Sequence, residues 1–280
     1  MKELDRNRID KIIRDALDED IRGTDVTSLA MQTDCSAEAR IVSKQHGILA
    51  GIDVAKRVFE LHDPDLRLAC EKGDGAILQS GDTVLTVSGK GQSILAAERT
   101  ALNLICRMSG IATVTARYVE QVRGTACRIL DTRKTTPNLR MLDKYAVRCG
   151  GGHNHRFGLY DMILIKENHI RWAGGVRAAL EAAVPYARAR SLKVEIEVTN
   201  LEELKTALSF PVDMIMLDHF SPGELREAVS LNASGVMLEA SGNVSLETVG
   251  GIARSGVDVI SVGALTHSAP CFDFSLLFHE

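Results

Sequence analysis

Apolar positions change their rhythm near the middle of the chain. In the opening stretch "NRIDKIIRDALDEDI", Ile9, Ile12, Ile13, Ala16 and Leu17 recur at helical spacing and share one face. "GTDVTS" then ends the pattern. From Ala37 to Ser88 the apolar runs are short and separated by Gly and Asp: "ARIVSKQHGILAG", "LRLACEKGDGAIL" and "SGDTVLTVSGKG". These predict strands of an antiparallel sheet, with a helix at "DVAKRVFELH" between them. "SILAAERTALNLICRMSGIATVTARYVEQVRG" reads as helix on both sides of Ser109 and Gly110, and that small pair is the candidate domain boundary.

Beyond it the runs "CRILD", "DMILIK", "LKVEIEV", "VDMIMLD", "SGVMLEA" and "VDVISVGA" begin near residues 127, 161, 192, 212, 234 and 257, the last four about every twenty-two residues. Amphipathic stretches "NLEELKTALSF", "SPGELREAVSLN" and "SLETVGGIARSG" fill the later gaps. Strands alternating with helices predict βα units and a parallel sheet. Each run ends in a polar or small residue: Asp131, Lys166, Glu197, Asp218, Glu239, Gly263. Reactive groups at the carboxyl ends of several strands are the arrangement of a βα-barrel. No G-x-G-x-x-G follows a strand, so an open dinucleotide-binding sheet is disfavoured. The expected fold is α/β, with an antiparallel sheet in the N-terminal part and a six-stranded or slightly irregular βα-barrel after it.

Composition narrows the function classes. The 280 residues, 45% hydrophobic and 25% charged, suit a globular protein. No uncharged apolar run approaches the ~18 residues of a spanning helix, and the N-terminus lacks an apolar signal core, so a cytoplasmic protein without membrane attachment is expected. Six cysteines without a C-x-x-C pair predict neither a zinc knuckle nor a disulfide framework. The net charge of −4 argues against nucleic-acid binding. It conceals an asymmetry, because Arg128 to Arg177 holds ten Lys and Arg against four Asp and Glu, a local +6 that leaves −10 elsewhere. Such a field suits a small anion in a cleft.

The stretch "DTRKTTPNLRMLDKYAVRCGGGHNHRFGLYDMILIKENHI", residues 131–170, carries that charge. Arg133 and Lys134, just past "CRILD", would stand at the barrel mouth, where Arg grips a carboxylate or phosphate at two points and Lys adds a compact charge. A bare Arg-Lys pair is more often a solvated loop; Arg148, His153, His155 and Arg156 around a glycine triplet change that balance. Lys166 at the end of "MILIK" suits a phosphate partner or, as in an aldolase, a Schiff base. Glu195 and Glu197 alternate along "KVEIEV" and Asp218 closes "MIMLD", carboxylates suited to Mg²⁺ or to sugar hydroxyls. The loops "EASGN" and "SVGALTHSAP" follow the last strands, where backbone N–H groups commonly hold a phosphate. Cations, carboxylates and glycine loops together describe a pyrophosphorylated sugar meeting a carboxylated partner.

The chain resembles the quinolinate phosphoribosyltransferase family from end to end. The resemblance rests on "ALDEDI", "DVTS", "AERTALNLICRMSGIAT", the long central stretch, "IMLDHF", "LEASGNVSLETV" and "DVISVGALTHSAP". It implies the transfer of phosphoribose from 5-phosphoribosyl 1-pyrophosphate to quinolinate with decarboxylation, giving nicotinate mononucleotide for NAD biosynthesis. It also implies an N-terminal α/β sandwich domain at 1–109 rejoined by the tail 268–280, an irregular six- or seven-stranded βα-barrel at 110–267, and a homodimer or higher even assembly whose sites are shared between subunits. Arg99 would reach the partner's quinolinate. Arg133, His155 and Arg156, with Lys166 beside them, would hold the two quinolinate carboxylates. Lys134 and Lys166 would face the pyrophosphate, next to Thr132. Glu195 and Asp218 would serve the ribose hydroxyls and Mg²⁺, directly or through water. Ser241, Gly242, Asn243, Val262, Gly263 and Ala264 would take the 5-phosphate, with His267 close by. Two departures stand out: His219 follows Asp218 where Asn is commoner, and "GHNH" replaces "GQNH". A relative acting on another nitrogen base and an aldolase using Lys166 remain as alternatives.

Overall fold

The computed structural model of the chain describes residues 4–31 and 35–278, and the last two residues of the expected tail lie outside them. The chain forms two compact units, each assembled from separate segments. Met1–Ala116, Thr135–Gly151 and Leu265–Glu280 make the first, and Arg117–Lys134 with Gly152–Ala264 the second.

The first unit opens with α1 (Arg6–Ile21), capped by the Asp5 carboxylate, which accepts from Asn7 and Arg8 N–H. Ile9, Ile13 and Leu17 are buried as the periodicity requires. After α2 (Val26–Met31) come β1 (Ser36–Ser43), β2 (Gly47–Ile48), α3 (Ile52–His62), β3 (Arg67–Cys70), β4 (Ile77–Leu78) and β5 (Thr83–Lys90). The helix α4 (Gly91–Gln121) is continuous through Ser109 and Gly110. That pair marks close contact. Ser109 Oγ accepts from Ala50 N–H at 3.0 Å and donates to Ala50 C=O at 3.1 Å, and a Cβ on Gly110 would lie 2.1 Å from the Pro270 carbonyl. Within Thr135–Gly151 sits α5 (Arg140–Cys149), a helix that the sequence pattern did not signal inside its cation-rich stretch.

The second unit alternates strands and helices: β6 (Arg128–Leu130), β7 (Ile163–Ile165), α6 (Glu167–Ala173), α7 (Val176–Arg188), β8 (Val194–Val198), α8 (Leu201–Leu208), β9 (Met214–Asp218), α9 (Pro222–Leu231), β10 (Met237–Ser241), α10 (Leu246–Ala253) and β11 (Val259–Ser261). Beyond them α11 (Ala264–His267) leads to β12 (Phe274–Phe278). The first unit's sheet runs β12-β1-β5-β3, antiparallel, so the tail strand pairs with β1 from Ala39↔Phe278 to Ser43↔Phe274.

In the second unit the parallel order is β6-β11-β10-β9-β8-β7, which brings the first strand back to the last, as a barrel requires. Between β6 and β7 only the bridge Leu130↔His153 occurs. The "GHNH" segment therefore lies where a further strand would complete the ring. Sequence features at the strand ends explain the regularity. Asp213 and Asp258, each opening a run, accept from Val194 N–H and Leu238 N–H on neighbouring strands, both at 2.8 Å. Ser221 and Glu224 form a capping box before α9, with Pro222 in its first turn.

Candidate active site

Register decides which side chains face the barrel interior. Glu195 pairs with Met214, Glu197 with Met216, Met216 with Glu239, and Asp218 with Ser241. Partners in register point to the same face of a sheet. Glu195, Glu197, Met216, Asp218, Glu239 and Ser241 therefore form ascending layers on one face, with the carboxyl ends of the strands uppermost.

A cavity of about 150 Å³ opens there. Its walls are Thr132, Arg133 and Lys134 after β6, His155 and Arg156 from the bridging segment, Lys166 after β7, and Glu239, Ser241 and Ser261 on β10 and β11, with Leu164 and Met216 as apolar surface. Four of the cations singled out in the sequence thus converge. Lys134 N–H bonds to Thr132 Oγ1 at 3.0 Å, turning the loop back on itself. Lys166 Nζ pairs with Glu197 at 2.8 Å, and Arg156 Nη1 donates to Met162 C=O at 3.1 Å. Burial, then the like charge of Arg133, lowers the Arg156 pKa.

Below the cations lies a buried acid cluster. His155 Nε2 is 2.9 Å from Glu195 Oε2 and 3.3 Å from Glu239 Oε2, and both glutamates have no exposed surface. The ring contacts both carboxylates without aligning as a hydrogen bond with either, and all four glutamate oxygens lack a hydrogen-bond donor among the described residues. Asp131, also fully buried, orients the segment by accepting from His155 N–H at 2.9 Å and from the Asn154 amide.

Burial would depress the His155 pKa, but the two carboxylates outweigh it and raise it to about 10. The same burial, with Glu239 facing it, pushes Glu195 up. The backbone decides where the protons sit. Arg156 N–H lies 2.8 Å from His155 Nδ1 and requires a lone pair there. That contact leaves Nε2, with its proton, turned toward the two carboxylates. The three ligand-type atoms lie within 4.8 Å of one another. A metal-bound His normally donates through its other nitrogen, whereas here that nitrogen accepts, so the arrangement suits a proton rather than a metal ion.

Asp218 is half-buried beside Glu197. Burial, then the Glu197 charge, raises its pKa against the opposing pull of His219, Lys166 and Lys134. Glu195 and Asp218, named together from the sequence, thus occupy different surroundings: Glu195 meets His155 and Glu239, and Asp218 meets Glu197. At the end of β10, Gly242 and Asn243 take left-handed φ values of 100° and 48°, and the His219 ring packs on Gly242. Val262 N–H bonds to Leu130 C=O at 2.9 Å, which fixes the turn into Gly263 and Ala264. Arg99 and His267 belong to the first unit, where Arg99 is exposed on α4 and His267 Nδ1 lies 2.6 Å from Ser268 Oγ.

A cavity residue not singled out from the sequence is Glu239, read only as a strand ending. The available signal was a lone carboxylate inside the apolar run "SGVMLEA".

Comparison with known proteins bears on the whole chain. The family model "Quinolinate phosphoribosyl transferase, N-terminal domain" matches residues 25–109, and its C-terminal counterpart matches residues 111–277. The chain is 46% identical over 271 residues to the nicotinate-nucleotide pyrophosphorylase [carboxylating] of Mycobacterium leprae, covering 94% of this chain and 95% of that one. It is 40% identical to a probable enzyme of the same name from Bacillus subtilis, covering 96% and 93%. Among solved structures, the nicotinate-nucleotide pyrophosphorylase from Francisella tularensis superposes with a TM-score of 0.94 at 40% identity, covering 99% and 98%.

Proposed function

The chain belongs to the quinolinate phosphoribosyltransferase family, and we propose that its barrel mouth transfers phosphoribose from 5-phosphoribosyl 1-pyrophosphate to quinolinate. The products are nicotinate mononucleotide, pyrophosphate and CO₂, a step of NAD biosynthesis. The observation that carries this reading is the convergence of Arg133, Lys134, Arg156 and Lys166 on one small cavity. Two carboxylates and a pyrophosphate need that concentration of positive charge.

Arg133 and Arg156 hold the quinolinate carboxylates, and Lys134 and Lys166 face the pyrophosphate. As pyrophosphate departs, the anomeric carbon gains oxocarbenium character and the lysines stabilise the charge on the leaving group. The pyridine nitrogen then attacks. Once quaternary, it accepts the electron pair released when the 2-carboxylate leaves as CO₂. The backbone turns at Ser241–Asn243 and Val262–Ala264 suit the 5-phosphate. The side chains here mainly position and neutralise. Lys166 is ion-paired with Glu197 rather than isolated in an apolar pocket, which favours this role over a Schiff base.

Mg²⁺ fits the acidic side of the cavity. Asp218 and Glu197 crowd two carboxylates together, a repulsion that a divalent cation relieves, and Asp218 is the residue assigned to hold it, directly or through water. Bound there, Mg²⁺ would help neutralise the pyrophosphate. Glu195, the other carboxylate assigned to Mg²⁺ from the sequence, is engaged with His155. We further assign the protein to the cytoplasm, in a homodimer or larger even assembly in which Arg99 reaches a neighbouring site. No helix among the described residues is long and apolar enough to cross a membrane.

The test is release of labelled CO₂ from carboxyl-labelled quinolinate. Release that requires both the phosphoribosyl donor and Mg²⁺ is expected. Release without the donor, or none from folded protein, overturns the reading.

A further inference from the structure

We propose that Glu239 is a positioning residue for quinolinate: with Glu195 it holds the His155 ring from inside the barrel, and through the His155–Arg156 peptide it sets the Arg156 guanidinium at the mouth. The inference rests on the quinolinate reading. It starts from a gap. The ring of strands is incomplete between β6 and β7, where only Leu130↔His153 bridges. Arg156 rises from this segment, so helix or sheet pairing does not fix its backbone.

Three other contacts do. Asp131 takes His155 N–H at 2.9 Å, the His155 ring takes Arg156 N–H at 2.8 Å on Nδ1, and Nε2 packs between the carboxylates of Glu195 at 2.9 Å and Glu239 at 3.3 Å. The His155 side chain is 6% exposed, and its far end reaches strands β8 and β10 across the interior. An imidazole bonded at Nδ1 and wedged between two carboxylates at Nε2 has a single orientation. The Arg156 N–H bonded to it inherits that orientation, and the guanidinium, anchored again at Met162 C=O, is left facing the cavity.

Both ring nitrogens are used inside the protein. His155 therefore serves the carboxylate site by shape and by orienting its neighbour. Burying a glutamate with both oxygens lacking aligned donors is costly, and a residue retained at such cost without a positioning task would be replaced by an apolar side chain at no loss.

The test compares the wild type with E239L, E239Q and E239D, each also combined with R156A. E239L removes the acceptor and keeps the bulk; it is expected to raise the quinolinate KM by about tenfold or more, roughly one 1.4 kcal/mol step, with the phosphoribosyl donor KM within about twofold. E239Q, which keeps the shape and an amide oxygen facing Nε2, recovers most of that loss. On the R156A background E239L adds little, because the contact it disturbs is already gone. Equal rises in both KM values, no recovery in E239Q, or full additivity with R156A would overturn the proposal. If E239L does not fold, E239D carries the test, since it withdraws the carboxylate by one methylene: a selective rise in quinolinate KM supports the proposal and an unchanged KM overturns it. Spectra of ¹⁵N-histidine protein separate this failure from failure of the quinolinate reading. The wild-type His155 ring is expected to show one Nε2–H form, lost in E239L or E239D and kept in E239Q, whether or not quinolinate is turned over. An unperturbed ring in both E239L and E239D overturns the proposal.

Discussion

Arg133 and Gly242 illustrate two ways in which one residue can govern an anion site. Arg133 contributes charge and a fork of donors. Replacing it with Ala is expected to raise the quinolinate KM and lower kcat, since a charge-assisted contact is worth about 1.5–3 kcal/mol. Steady-state kinetics with unchanged constants would remove Arg133 from the site. Gly242 contributes backbone freedom. Its φ of 100° is unfavourable for an L-residue, and an added Cβ would lie 2.7 Å from His219 Nδ1. Gly242→Ala therefore costs about 1–2 kcal/mol in loop geometry. The expected signature is a higher KM for 5-phosphoribosyl 1-pyrophosphate with the quinolinate KM little changed. A rise confined to quinolinate would place this loop elsewhere in the reaction.

At the scale of elements, the strands of the second unit and its helices α8, α9 and α10 were legible because their signals are local, whereas α6 and α7 between β7 and β8 went unpredicted. Apolar runs of strand length, the aspartates just before β9 and β11, and the capping box of α9 all lie within a few residues of what they specify. Helix α5 was not legible, because its charged residues were read as chemistry. The Asp143 carboxylate is fully buried and takes both Arg107 Nε at 2.8 Å and Nη2 at 2.7 Å, contacts that no local pattern announces. The candidate domain boundary at Ser109–Gly110 lies within the continuous helix α4. The small size of the pair serves packing: Gly110→Ala would drive a Cβ into the Pro270 carbonyl, a backbone atom that yields only if the chain moves. Overpacking of this kind costs about 1–3 kcal/mol. Thermal melts are expected to show a Tm lower by roughly 2–4 °C for each kcal/mol. A wild-type Tm would mean that the tail segment shifts freely.

For the molecule as a whole, pH acts through paired carboxylates. Asp10 on α1 is held by Arg57 on α3 through bonds of 2.8 and 2.7 Å, and those hydrogen bonds keep its pKa below the usual carboxylate value against the cost of burial. A depressed folded-state pKa adds stability that is complete above the unfolded value of 3.8 and disappears as pH falls through the lowered one. Asp10→Asn is therefore expected to be less stable than the wild type near pH 7, by about 1–3 kcal/mol for lost charged hydrogen bonds. The gap should narrow as pH drops below 3.8. Chemical denaturation at several pH values measures it; a gap constant down to the acid limit would show that the pair contributes through packing alone.

The sequence by itself determined the barrel strands and the helices of their later gaps, the concentration of positive charge in residues 131–170 and the family resemblance, because periodicity, caps and motif spacing are properties of neighbouring residues. Only the tertiary structure decided that His155 is held by Glu195 and Glu239 from two other strands, that Asp218 faces Glu197, and that the barrel stays open beside "GHNH". Those facts depend on register between strands distant in sequence. A shift of one residue along any of them would turn the same carboxylates away from the interior.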